Sequence, residues 1–102
     1  MYVESVKLTF YIPQAASLKD KRQICRSIVD KARQRFNASI SEVGTQDVHQ
    51  TLTIGIAVVS GAISHAHNML DEIVRYIDGH IDAELIGDER TGHKNDQQNL
   101  RI

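Results

Sequence analysis

Apolar residues in this chain repeat every second position, then at helical spacing, then every second position in two successive runs, then at helical spacing, then every second position again. Few features limit a fold more, because each period commits its segment to one kind of element and one buried face. Val6, Leu8, Phe10 and Ile12 alternate with Ser5, Lys7, Thr9 and Tyr11, which makes 2–12 a half-buried strand. Pro13, the only proline, ends it because it cannot donate to a ladder. Ser17 stands three residues before Asp20, a capping box with Asp in the usual Glu place. Leu18, Cys25, Ile28, Val29, Ala32 and Phe36 then recur at helical spacing, and Asn37 suits a left-handed stop.

A short strand over 38–43 turns Ala38 and Ile40 inward, and 44–48 reads as a turn. Thr51–Val59 is the clearest strand: Leu52, Ile54, Ile56 and Val58 face one way, and Thr51, Thr53, Gly55 and Ala57 the other. Ser60 or Ser64 is placed to cap a second helix. Ala66, Met69, Leu70, Ile73, Val74 and Ile77 form its stripe, and Gly79 is its expected stop. A last strand over 81–86 has Ala83 and Leu85 inward. The order β-α-β-β-α-β is the split βαβ arrangement. It predicts one α+β domain over 1–87, a four-stranded antiparallel sheet with both helices on one face. Residues 88–99 are polar and aperiodic, and 88–102 read as a polar C-terminal tail or an added turn.

The totals agree with a single small domain. The chain has 102 residues, of which 41% are hydrophobic and only 5% aromatic, so its core must be aliphatic. The lone Cys25 excludes an internal disulfide and lies on the apolar stripe as a small core residue. No basic segment leads into an apolar run at the N-terminus, and no run approaches the ~20 residues of a membrane span. A cytoplasmic protein without membrane partners is expected.

Charge is unevenly placed. Between Leu18 and Phe36 stand seven basic residues and two acidic ones, a segment charge of +5 in a chain of net charge −1. Lys19, Arg22, Arg26 and Arg33 fall on one stripe beside the apolar face, about 21 Å long at 1.5 Å per residue. Such a stripe can touch several backbone phosphates. It can equally be a solvated face in which Arg26 and Arg33 flank Asp30 at i+4 and i+3.

Several blocks of sequence are similar to a known family. Ser17-Leu18-Lys19-Asp20-Lys21-Arg22, Arg35-Phe36-Asn37-x-Ser39, Glu42-Val43, Gln46-Asp47, Gln50 and Gly55-Ile56-Ala57-Val58-Val59-Ser60 together resemble the YlxP-like family of small bacterial proteins of unknown function, over about residues 3–86. The resemblance implies a ferredoxin-like fold, in agreement with the order of elements. It also implies a bacterial origin and a gene context of transcription, translation initiation and ribosome maturation. It brings no catalytic residues.

Other candidate sites follow from the topology. The first loop, the hairpin between the second and third strands, and the loop before the last strand share one end of the sheet. Ser17, Lys19 and Lys21 should there approach Glu42, Asp47 and His49. This group is either an anion site at a helix N-terminus or, given Asp20 in the first turn, a cap tied to the hairpin by ion pairs. The open sheet face displays Thr, Gly and Ala on its third strand, where an RNA-reading sheet would display aromatics. Small residues there suit packing on a second copy, and a homodimer is expected. His65 and His67 are two apart and share no helical face, and nothing in the sequence places a nucleophile beside a base. No metal, cofactor or catalytic residue is expected. The leading expectation is a non-enzymatic protein that binds structured RNA or a ribosomal particle through Lys19, Arg22, Arg26 and Arg33. The alternative is a homo-oligomeric interaction or small-ligand regulatory domain that uses the sheet face.

Overall fold

A computed structural model describes residues 1–94. The elements are β1 (Tyr2–Tyr11), α1 (Leu18–Arg35), β2 (Ser39–Gly44), β3 (Thr51–Ser60), α2 (Ile63–His80) and β4 (Glu84–Lys94). They form one antiparallel sheet in the order β2-β3-β1-β4, with both helices on one face. This is the ferredoxin-like α+β arrangement that the order of periods predicts.

The core lies between helices and sheet. Val6 stands opposite Ile56, Leu8 opposite Ile54 and Phe10 opposite Leu52, all buried, and Ile40 extends the row into β2. Cys25, Ile28, Val29 and Ala32 of α1 and Ala66, Leu70, Ile73, Val74 and Ile77 of α2 close it from above. Alternation of side chains along a strand and the i, i+3, i+4 recurrence on a helix put these groups on the shared interface.

The structure corrects several boundaries. Residues 88–94 are not a tail: β4 runs to Lys94 and pairs with β1 from Tyr2 to Tyr11. The cause is the long outer edge of β1, whose N–H and C=O groups need partners that polar residues supply as well as apolar ones. A bulge opposite Thr9 and Phe10 shifts the register there. Beyond it Arg90 meets Asp71 of α2 at 2.5 Å and Asp88 at 3.1 Å, while Glu89 lies 3.6 Å from Lys7, its cross-strand neighbour. The Arg90 guanidinium holds the Asp71 carboxyl below its ordinary value. The rest of the expected tail, 95–102, lies outside the described residues.

Helix ends also differ. Asn37 is not left-handed; α1 closes on Phe36, whose N–H donates to Ala32 O at 2.9 Å with extended backbone. Gly79 does not stop α2, which continues to His80. Neither Ser60 nor Ser64 is the N-cap of α2. Ala62 holds that position, and Ser60 Oγ accepts from Ala62 N at 3.1 Å.

The second sheet face is bare of helices but not uniformly open. Thr53 is buried because Thr45, in the left-handed region at φ 56°, folds its hydroxyl to within 2.9 Å of Thr53 Oγ1. A β-branched residue rarely adopts that conformation, so the hairpin is held by other contacts. Val43 lies over Gly55, where a Cβ would meet its Cγ1 at 2.7 Å.

Candidate nucleic-acid interface

Lys21 explains the hairpin. Its helical phase puts it among Leu18, Cys25, Ile28 and Ala32, and its side chain is 0% exposed. The ammonium donates to the carbonyls of Thr45, of Val48 (2.7 Å) and of Thr51 (3.2 Å). Those three bonds use all its protons. Glu42 Oε2, 3.3 Å away and buried, therefore balances the charge without an aligned hydrogen bond. Loop 45–51 thus wraps around a cation from α1. Lys21 has no capacity left for an external anion.

The helix N-terminus is committed as well. Ser17 Oγ accepts from Asp20 N at 3.1 Å, and Asp20 Oδ2 accepts from Ala16 N at 3.0 Å. This is the reciprocal cap foreseen in the sequence, shifted back by one donor. Asp47 and His49 are exposed on the hairpin and make no side-chain hydrogen bond or ion pair among the described residues. Of the expected group at this end, the fold joins Lys21 to Glu42 and the hairpin backbone, and leaves Asp47 and His49 aside.

Lys19, Arg22, Arg26 and Arg33 are all exposed on one side of α1. Arg33 is partly engaged: its Nε donates to Ile40 O at 2.8 Å and its second terminal nitrogen lies 3.3 Å from Ser41 Oγ. It covers the outer edge of β2 and so blunts further strand pairing there. Lys19, Arg22 and Arg26 form no ion pair among the described residues, although Asp30 follows Arg26 by one helical turn. Two shallow depressions border them, one of about 470 Å³ along the outer helix face and one of about 430 Å³ between α1 and β2. The stripe is therefore a set of uncompensated cations about 10 Å long on a rigid helix, from Lys19 to Arg26.

Two contacts escaped the sequence reading. Ser60 Oγ stands 3.0 Å from His65 Nδ1, so a hydroxyl does lie beside an imidazole. Because Ser60 Oγ also accepts from Ala62 N, the arrangement closes the start of α2, and no third group orients His65 among the described residues. Glu4 is the second: its side chain is 8% exposed, beneath α2, and is bonded to His67 Nε2. Both Glu4 and Lys21 sit in phase with an apolar face. A charged residue in that phase is the signal that could have found them.

Cys25 lines the depression beside Arg22 and Glu42. Burial, with Glu42 adding to it, pushes its thiol up to about 11 from 9.0. The folded state thus favours the thiol over the thiolate. That contribution to stability is complete below pH 9 and is lost as pH rises toward 11, on the order of 2 kcal/mol in all. Urea denaturation across this range should show the parent converging on Cys25→Ala by that amount; parallel curves would remove the effect.

Residues 3–90 match the family described as protein of unknown function DUF503. The chain belongs to this family. A relative from Bacillus subtilis (strain 168), "Uncharacterized protein YlxP", is 37% identical over 73 residues, which cover 72% of this chain and 79% of the relative. Among solved structures, a de novo designed protein with a ferredoxin fold superposes with a TM-score of 0.55 at 17% identity, covering 93% of this chain and 87% of that one. The likeness concerns fold alone. A putative antibiotic biosynthesis monooxygenase from Deinococcus radiodurans reaches a TM-score of 0.45 at 18% identity, covering 95% and 94% of the two chains. That value carries no argument about chemistry. Among the described residues, no helix of this DUF503 protein is long and apolar enough to cross a membrane, and no cluster of three His, Cys, Asp or Glu side chains could hold a metal ion.

Proposed function

We propose that this DUF503 protein is a non-enzymatic RNA- or ribonucleoprotein-binding protein that works through the outer face of α1. One observation carries the reading: Lys19, Arg22 and Arg26 lie together along one exposed side of α1 and form no ion pair among the described residues. Unpaired cations on a rigid face can release counterions from a polyanion, with affinity that falls as salt rises. These side chains would position a phosphate backbone and read no bases. With about three contacts, the slope of log affinity against log salt should be about −2 to −3. Arg22→Glu combined with Arg26→Glu should weaken RNA binding about 30- to 100-fold in fluorescence anisotropy, since two attractions become repulsions. Both residues are exposed, so the circular dichroism spectrum should not change. Reversing Asp71 and Glu72 on α2 should leave affinity near the parent's. If the double Arg variant binds RNA as the parent does, α1 is only a solvated face.

A second reading, a homodimer through the open sheet face, has one observation in its favour. Val43 and Val59 are 51% and 60% exposed there, beside Gly55 and Ala57. Sedimentation at high protein concentration decides it, and a monomer ends it.

A further inference from the structure

The outer face of α1 carries more than cations. Gln23 and Ser27, one turn apart, line the same depression as Lys19, Arg22, Arg26 and Asp30. Both are exposed, and neither makes a side-chain hydrogen bond among the described residues. Neutral groups that both donate and accept thus lie beside groups that attract phosphate, with the Asp30 carboxylate as a further acceptor. We propose that this face binds double-stranded RNA on its minor-groove side, with Lys19, Arg22 and Arg26 on phosphates and Gln23 and Ser27 on 2′-hydroxyl groups. The inference rests on the reading of α1 as an RNA-binding face.

Three observations narrow the partner. Single-stranded RNA is held chiefly by stacking of successive unpaired bases on aromatic side chains. Here the rings nearest the helices are occupied: Tyr76 stacks on His80 at 4.1 Å, meets Phe36 edge-on at 5.5 Å, and has the Arg35 guanidinium at 5.1 Å. Tyr11, on β1, is the exposed ring of the other sheet face, away from the stripe. The major groove of B-form DNA is about 12 Å wide, wide enough for a protruding helix of about 10–12 Å. Helix α1 does not protrude; Cys25, Ile28, Val29 and Ala32 seat it on the sheet, so only one side is presented. A wide, shallow groove suits a surface of that shape, and the A-form minor groove is wide, shallow and lined by 2′-hydroxyls. The 2′-hydroxyl both donates and accepts, as do Gln23 and Ser27, whereas the 2′ carbon of DNA carries neither a donor nor an acceptor.

The test uses the full chain and four labelled oligonucleotides of one sequence, about 16 to 20 base pairs or nucleotides long: duplex RNA, duplex DNA, and each single strand. Anisotropy titrations should give duplex RNA about tenfold tighter binding than duplex DNA, the scale of two neutral hydrogen bonds. Gln23→Ala with Ser27→Ala should reduce that preference to within about twofold, and should keep the parent's salt slope, because no phosphate contact is lost. Equal binding of duplex RNA and duplex DNA by the parent, or tighter binding of single-stranded RNA, overturns the inference and leaves RNA binding by α1 standing. A preference that survives both alanines overturns the roles of Gln23 and Ser27. Absence of binding to all four overturns the inference together with the reading beneath it.

Discussion

Replacing Lys21 with Met is expected to destabilise the fold by about 3–5 kcal/mol, the scale for removing one member of a buried ion pair. Methionine matches the length of the side chain and keeps the apolar packing between α1 and the sheet. What it removes is the cation at the centre of loop 45–51. Three carbonyls, of Thr45, Val48 and Thr51, lose their donor, and the buried oxygen of Glu42 loses its counter-charge. Thr45 is also held at φ 56° by these contacts, so the strained turn has less to keep it closed. Urea denaturation measures the loss. Glu42→Gln in the same chain should recover part of it by removing the uncompensated charge, and the three carbonyls would account for what remains. Lys19→Met, two residues away and exposed, should change stability by no more than about 0.5 kcal/mol. If Lys21→Met costs under about 1 kcal/mol, water replaces the ammonium without difficulty and the loop is not built around it.

Lys21 also shows why some of this protein could be read from its sequence and some could not. The strands β1 and β3 and both helices were legible because their apolar periods are long and unbroken. The fold class and most of the core follow from those periods. The edge strand β4 was legible only over its apolar start. From Asp88 to Lys94 its pairing rests on backbone bonds to β1, and Arg90 turns to Asp71. Periodicity carries no signal for such a strand. The basic stripe was visible as charge, but charge alone did not say which cations are committed. Lys21 and Arg33 are turned to the hairpin and to β2 by tertiary contacts with residues 7 to 30 positions away. Lys19, Arg22 and Arg26 are left unpaired among the described residues: Asp30 and Glu42 line the depressions beside them, but neither forms an ion pair with them, and Glu42 is drawn to Lys21.

Ile56→Ala is expected to cost about 2–5 kcal/mol, and it tests the register on which every facial assignment depends. Ile56 is 2% exposed at the middle of β3, with Val6 on one side and Ile40 on the other, beneath the helices. Truncation there removes buried methylene and methyl groups from a close-packed layer and leaves a cavity that the paired strands cannot close. Val59 lies three positions along the same strand and points to the opposite face, where it is 60% exposed. Val59→Ala should therefore change stability by no more than about 0.5 kcal/mol. A slip of one residue in the pairing of β3 would exchange the two faces and with them the two results. It would also bring Thr53, Gly55 and Ala57 under the helices, where small side chains could not fill the space that Leu52, Ile54, Ile56 and Val58 now occupy. Equal losses for the two variants in equilibrium denaturation would thus refute the register, and with it the division between the helix-covered face and the open one.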